Sequence, residues 1–291
     1  MVKTYSQLYL DARKRLLPTE GAEMAAQIAR NLLCALSGKS HEQILLERGF
    51  YAAEHICDGM DQAVDRILMG EPLAYIIGEW DFFGLTLYVD RNVLIPRDDT
   101  CAVTELAIAK AMELGKDPRV LDLCTGSGCI GIAIASRVKD ARVTLADISR
   151  EALAVAKKNV TRHHLSARVS CIPVNALMKP MPVLGKFDLI VSNPPYITGD
   201  EMQQLPVSVK DFEPHLALHG GTDGLDFYRS IAANFKTVIK PGGYLCFEFG
   251  MGQGDDVCRI LEREGYTILE RSRDFNDRER ACLAQYGRKE D

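Results

Sequence analysis

Val120-Leu121-Asp122-Leu123-Cys124-Thr125-Gly126-Ser127-Gly128-Cys129-Ile130-Gly131 reads as a strand that runs into a glycine-rich turn and continues as a helix. Glycines at such a turn let the backbone come close to a ligand and aim its amide groups at it. Asp147 ends the next predicted strand, 21 residues after Gly126. A carboxylate at that place can accept hydrogen bonds from both ribose hydroxyls of an adenosine.

Residues 126–131 literally fit G-x-G-x-x-G, so a dinucleotide oxidoreductase is an alternative, although that motif alone is weak evidence. Asp122 sits at the strand end just before the loop. An anion there would repel a pyrophosphate but suits a ligand bearing an ammonium and a sulfonium, while loop and helix amides can receive its carboxylate. These features favour S-adenosyl-L-methionine, with S-adenosyl-L-homocysteine as product.

Outward from the loop, strands and helices alternate. Strands are predicted over 119–123, 141–146, 169–173, 187–192 and 244–249, with helices near 101–114, 129–138, 150–164, 225–239 and 253–264. Alternation of this kind marks a parallel sheet covered on both faces. The last two strands, 266–271 and 281–286, are separated by a turn too short for a parallel crossover, so they form an antiparallel hairpin closing the sheet.

The N-terminal region has a different period. Ala25, Ile28, Ala29, Leu32, Leu33 and Leu36 recur at i, i+3, i+4 spacing, Gly38 stops that helix, and Ser40 with Gln43 suggests a capping box for the next. A further helix is expected over 58–69. Leu85, Leu87 and Val89 alternate with polar neighbours as in a strand, and Phe83-Gly84 can turn a hairpin. The expected organisation is a small all-helical substrate-docking domain over 1–74, a β-hairpin linker over 75–97 and an α/β catalytic domain over 98–291.

Composition narrows the class. Of 291 residues, 47% are hydrophobic and 26% charged, ordinary globular usage, and no apolar run approaches the roughly 18 residues a membrane span needs. The net charge of −5 leans away from a protein whose main work is gripping nucleic acid. Nine scattered cysteines without a Cys-x-x-Cys pair signal neither a disulfide framework nor a zinc site, and no metal is expected. A cytoplasmic monomer in a reducing compartment is the expectation, with no membrane contact and no stable nucleic-acid binding.

The predicted apolar strand 187–192 ends in Asn193-Pro194-Pro195-Tyr196. In an open α/β sheet, ligands bind beyond the carboxyl ends of the strands, so this tetrapeptide should face the glycine loop. A planar amide or aromatic amine nitrogen is a poor nucleophile because its lone pair is delocalised. Two acceptors, the Asn193 side-chain oxygen and the Pro194 carbonyl, can grip its two N–H groups and orient the lone pair toward a methyl carbon. The prolines hold the loop stiff, and the Tyr196 ring can cover a flat substrate group.

These motifs resemble those of class I methyltransferases, and the whole chain resembles the HemK/PrmC-type release factor glutamine methyltransferases. The likeness runs through Glu71-Pro72-Leu73-Ala74-Tyr75-Ile76-Ile77-Gly78, Phe82-Phe83-Gly84 and Val93-Leu94-Ile95-Pro96-Arg97, then the cofactor loop and the tetrapeptide. It continues through Glu213-Pro214, residues 220–225, Pro241-Gly242-Gly243, Phe247-Glu248-Phe249-Gly250 and Gln253. It implies a Rossmann-like methyltransferase sheet that methylates the glutamine amide nitrogen in the Gly-Gly-Gln loop of a peptide chain release factor. Glutamine methylation of a ribosomal protein and exocyclic-amine methylation of DNA or RNA are the alternatives. By position, the resemblance implies cofactor binding by Cys124, Thr125, Gly126, Ser127, Gly128, Asp147, Asn175, Ala176 and Asn193. It implies catalysis by Asn193, Pro194 and Tyr196, and substrate binding by Asn193 to Tyr196 with Arg97.

The chain departs from the family pattern at Arg97-Asp98-Asp99-Thr100-Cys101, at Asn175-Ala176 and at Cys124, which stands where the family usually has glycine. Cys124 should therefore not need a positive φ. His163 and His164 are expected at a helix end as dipole partners, and residues 197–221 form a connection long enough to serve as a lid. Glu248 ends a predicted strand near the site, where it can serve either the fold or the chemistry.

Overall fold

A computed structural model describes residues 2–287. The chain divides into two compact units, one comprising residues up to Glu79 with Pro206–Phe212, the other Trp80–Leu205 with Glu213 onward.

The first unit is helical. Its helices are α1 (Tyr5–Ser37), α2 (His41–Leu46), α3 (Glu54–Leu68) and α4 (Leu73–Ile77). Thr4 and Gln7 form a capping box on α1, Ser40 and Gln43 another on α2, and Gly38 closes α1 in the left-handed conformation. Pro18 and the non-helical backbone of Gly21 break α1 into two stretches. Leu8, Leu16, Ile28 and Leu32 then pack with Ile56, Met60 and Val64 of α3 around one core.

The second unit opens with the hairpin of β1 (Glu79–Phe82) and β2 (Leu85–Tyr88). Phe83 and Gly84, at φ 53° and 76°, make the two-residue turn whose twist suits a hairpin. Phe82 and Leu87 bury into the core of this unit. Asn159 fastens the hairpin further: it accepts from Tyr88 N at 2.6 Å and donates to the carbonyls of Tyr88 and Ser127.

The strands β3 (Arg119–Leu123), β4 (Arg142–Asp147), β5 (Val169–Pro173), β6 (Phe187–Ser192), β7 (Ile239–Glu248), β8 (Tyr266–Arg273) and β9 (Glu279–Tyr286) form a seven-stranded sheet in the order β5-β4-β3-β6-β7-β9-β8. The first five in that order run parallel, and β9 pairs antiparallel with β7 and with β8. This is the Rossmann-like sheet with a terminal antiparallel hairpin.

One face is covered by α5 (Cys101–Glu113), α6 (Cys129–Arg137) and α7 (Arg150–Arg162), the other by α8 (Asp226–Phe235) and α9 (Gly254–Arg263). The β3/β6 boundary, where chain order reverses direction, is the topological switch point, and its strand ends open onto a cavity. Residues 197–221 are not structureless: they contain short helices at Gly199–Gln204 and Val207–Lys210 and a 3-10 turn at His215–Ala217.

Candidate active site

The cavity gathers the segments that follow four adjacent parallel strands: residues 124–127 after β3, 147–149 at and after β4, 174–177 after β5, and Asn193 with Pro195 after β6. Of the residues singled out in the sequence, Arg97, Cys124, Thr125, Gly126, Ser127, Asp147, Asn175, Ala176, Asn193 and Pro195 line it. Gly128, Pro194 and Tyr196 lie outside that lining. A Cβ on Gly128 would meet Ile132 and Leu145, so its place is behind the loop.

Asp147 is the acid that reaches the cavity. Its Oδ2 accepts from Gly126 N at 2.9 Å and its Oδ1 from Ser149 N at 3.0 Å, leaving lone pairs on both oxygens for a ligand. Burial raises its pKa against those backbone hydrogen bonds. Ser127 Oγ is buried and has no hydrogen-bond partner among the described residues. Ile148, Leu177 and Phe227 supply apolar lining beside Asn175. A carboxylate with free lone pairs, an orphan hydroxyl and an apolar flank match the needs of a nucleoside.

Asp122 does not act as expected. It is fully buried, is absent from the cavity lining, and accepts from Thr125 Oγ1 at 2.6 Å and Gly131 N at 2.8 Å. Burial pushes its carboxyl up to about 7, opposed by those two donors. Its work is to bind the turn to the helix behind it, so the charge argument drawn from it does not carry the choice of ligand.

Cys124 also departs from expectation, at φ 61° in the left-handed region. The turn sets this: Thr125 N donates to Ala146 O at 3.1 Å and Gly128 N to Thr125 O at 2.8 Å, so the chain must reverse at once after β3. The turn needs the left-handed conformation even where glycine is absent, and cysteine carries the strain.

On the β6 side, Asn193 Nδ2 donates to Thr100 Oγ1 at 3.3 Å. That contact uses one hydrogen of the amino end, and among the described residues no donor meets Oδ1. Tyr196 is half-buried, and its backbone carbonyl accepts from Gln253 Nε2 at 3.1 Å. Burial, with Glu248 nearby, raises its hydroxyl pKa. Arg97 is ion-paired to Glu213, whose side chain is almost fully buried and whose Oε2 also accepts from Ile95 N at 3.4 Å. Burial raises the Glu213 pKa and Arg97 opposes it. The pair ties the segment before α5 to the chain that carries Pro214, Leu216 and Ala217 along the cavity.

Sequence reasoning missed Thr100 and gave Glu248 no definite part. The signal for Glu248 was its place at a strand's carboxyl end; Thr100 carries no local signature. His163 caps α7, and its ring Nε2 lies 3.0 Å from Thr86 O on the hairpin.

Comparisons with known proteins agree with this architecture. Residues 7–78 match the PrmC N-terminal domain and residues 102–209 the methyltransferase small domain. A methyltransferase of Pyrococcus furiosus shares the fold, with a TM-score of 0.52 at 17% identity over 78% of this chain and 100% of that one. The release factor glutamine methyltransferase of Chlorobaculum tepidum is 41% identical, covering 75% of this chain and 76% of that protein. That of Clostridium acetobutylicum is 44% identical over 216 residues, 74% of this chain and 75% of the relative. At that identity and coverage, this chain is an enzyme of the release factor glutamine methyltransferase family.

Proposed function

We propose that the protein methylates the side-chain amide nitrogen of the glutamine in the Gly-Gly-Gln loop of a peptide chain release factor. The observation that carries the reading is the amide of Asn193, whose Nδ2 is committed to Thr100 and whose Oδ1 is left to accept. Bound S-adenosyl-L-methionine supplies a methyl group made electrophilic by its sulfonium.

Within the chain, Asp147 would accept hydrogen bonds from the ribose hydroxyls, Asn175 would meet the adenine amine, and Ile148, Leu177 and Phe227 would exclude water from the base. Cys124, Thr125, Gly126, Ser127 and Ala176 line the same space, and loop amides at the start of α6 would receive the methionine carboxylate. Asn193 Oδ1 and the Pro194 carbonyl each accept one N–H of the glutamine, which orients its lone pair and favours the more tetrahedral nitrogen of the transition state. Pro195 stiffens the loop, the Tyr196 ring covers the flat amide, and Arg97 holds the neighbouring peptide. The helical unit docks this large substrate, and the protein works as a cytoplasmic monomer.

The reading is tested with labelled S-adenosylmethionine, a release factor and the same factor with its loop glutamine changed to glutamate. Label should enter the first and not the second. Equal labelling, or none, overturns the proposal.

A further inference from the structure

Glu248 ends β7 beside the tetrapeptide, because Phe247 pairs with Ser192 of β6. It is 1% exposed, and its Oε2 has no hydrogen-bond partner among the described residues. The side chains of Thr100 and Asn193 face its carboxyl and hold its pKa down. A buried carboxyl with an unmet oxygen costs stability, and an apolar side chain would fill that space without the penalty.

The Asn193 amide supplies a reason for it. Its two ends have nearly the same shape, so only the surrounding donors and acceptors decide which end faces the cavity. Thr100 cannot decide alone, since a hydroxyl can donate or accept. A carboxylate only accepts. Facing Thr100 and Asn193, it favours the arrangement in which both turn their donors toward it, and that leaves Thr100 Oγ1 to accept from Nδ2, the one bond observed between them. We infer that Glu248 is a positioning residue that sets the orientation of the Asn193 amide, so that Oδ1 rather than Nδ2 meets the substrate nitrogen. The inference rests on the proposed amide-methylating role of Asn193.

The protonation of Glu248 then matters. Burial pushes it up to about 8; Thr100, Arg280 and Asn193 pull it down, and Asp99 pushes it up. Also facing it are Cys101 at the start of α5, Cys129 at the start of α6, Tyr196 after β6 and Tyr228 on α8. Arg280 on β9 is held by Asp99 at 2.8 Å and Asp274 at 2.9 Å. Once protonated, the Glu248 carboxyl can donate, and the polarity of the chain through Thr100 to Asn193 is no longer dictated.

The test compares wild type with Glu248→Gln, which keeps the shape but presents both a donor and an acceptor. Wild-type kcat/KM for the release factor should rise about tenfold per pH unit toward a plateau above about 8. In E248Q that acid limb should vanish and the plateau should fall roughly 100-fold, the scale for a misplaced reacting group. Cofactor affinity should not change. An unaltered limb and plateau in E248Q overturn the inference. A wild type that does not methylate the release factor refutes the functional reading instead, and the orientation is then read by nuclear magnetic resonance. The Asn193 side-chain amide signal, assigned by its loss in Asn193→Asp, should titrate near pH 8 in wild type and stay flat in E248Q. Flat behaviour in wild type overturns the inference even if E248Q fails to fold.

Discussion

The backbone N–H of Gly131 donates to Asp122 Oδ2 at 2.8 Å, an approach that only a residue without a side chain allows. A Cβ on Gly131 would stand 2.9 Å from that oxygen and 2.2 Å from Leu145 Cδ2. Gly131→Ala should therefore lower stability by about 1–3 kcal/mol as an overpacked core position, even though alanine is the better helix former by about 1 kcal/mol. Urea unfolding measures it, and a variant as stable as wild type would show that α6 has room to shift.

Cys124 offers the reverse case. At φ 61° any side chain with a Cβ is strained by about 1–2 kcal/mol, which exceeds the roughly 0.5–1 kcal/mol that glycine costs through a freer unfolded chain. Cys124→Gly should unfold at a higher temperature than Cys124→Ala, by a margin on the order of 1 kcal/mol. Alanine proving the more stable of the two would mean that the loop relaxes out of the left-handed region.

The buried acids give a pH signature. Both are raised: Asp122 from 3.8 to about 7 and Glu248 from 4.5 to about 8, in each case first by burial. The stability contributed by each protonated group is fully present below its ordinary value and lost as pH rises through the folded one. Stability should thus decline between about pH 4 and about pH 8 by several kcal/mol, since each pH unit separating a group's folded and unfolded pKa is worth about 1.4 kcal/mol. Asp122→Asn should remove the share of the decline that ends near pH 7, and Glu248→Gln the share that extends to about pH 8. Denaturation curves across that range check it, and a stability that climbs with pH in wild type contradicts it.

Asn193→Ala removes the acceptor proposed for the glutamine nitrogen. Turnover should fall about 10²–10³-fold, the usual loss on deleting one transition-state hydrogen bond. S-adenosylmethionine affinity, measured by calorimetry, should hardly change, because Asp147 and the glycine loop keep their geometry. A large loss of cofactor binding with little loss of turnover would reverse the assignment.

The local sequence determined the parts of this enzyme that are made of neighbours along the chain. Periodicity and turn chemistry set the strand before Cys124, the helix after Gly128, the capping boxes at Thr4 and Ser40, the Phe83-Gly84 turn and the strand that delivers Asn193. Only the tertiary structure decided how those parts bear on one another. Asp122 reads from its position as an acid facing the ligand, yet the packing of α6 on β3 buries it under the loop. The sign of φ at Cys124 depends on the hydrogen bond from Thr125 to a neighbouring strand, which no residue type announces. Thr100 lies 93 residues from Asn193, and strand order brings the end of β7, with Glu248, beside the end of β6 that delivers Asn193. The spacing of side chains along one segment is written in that segment, whereas burial and polarity come from whichever distant segments pack against it.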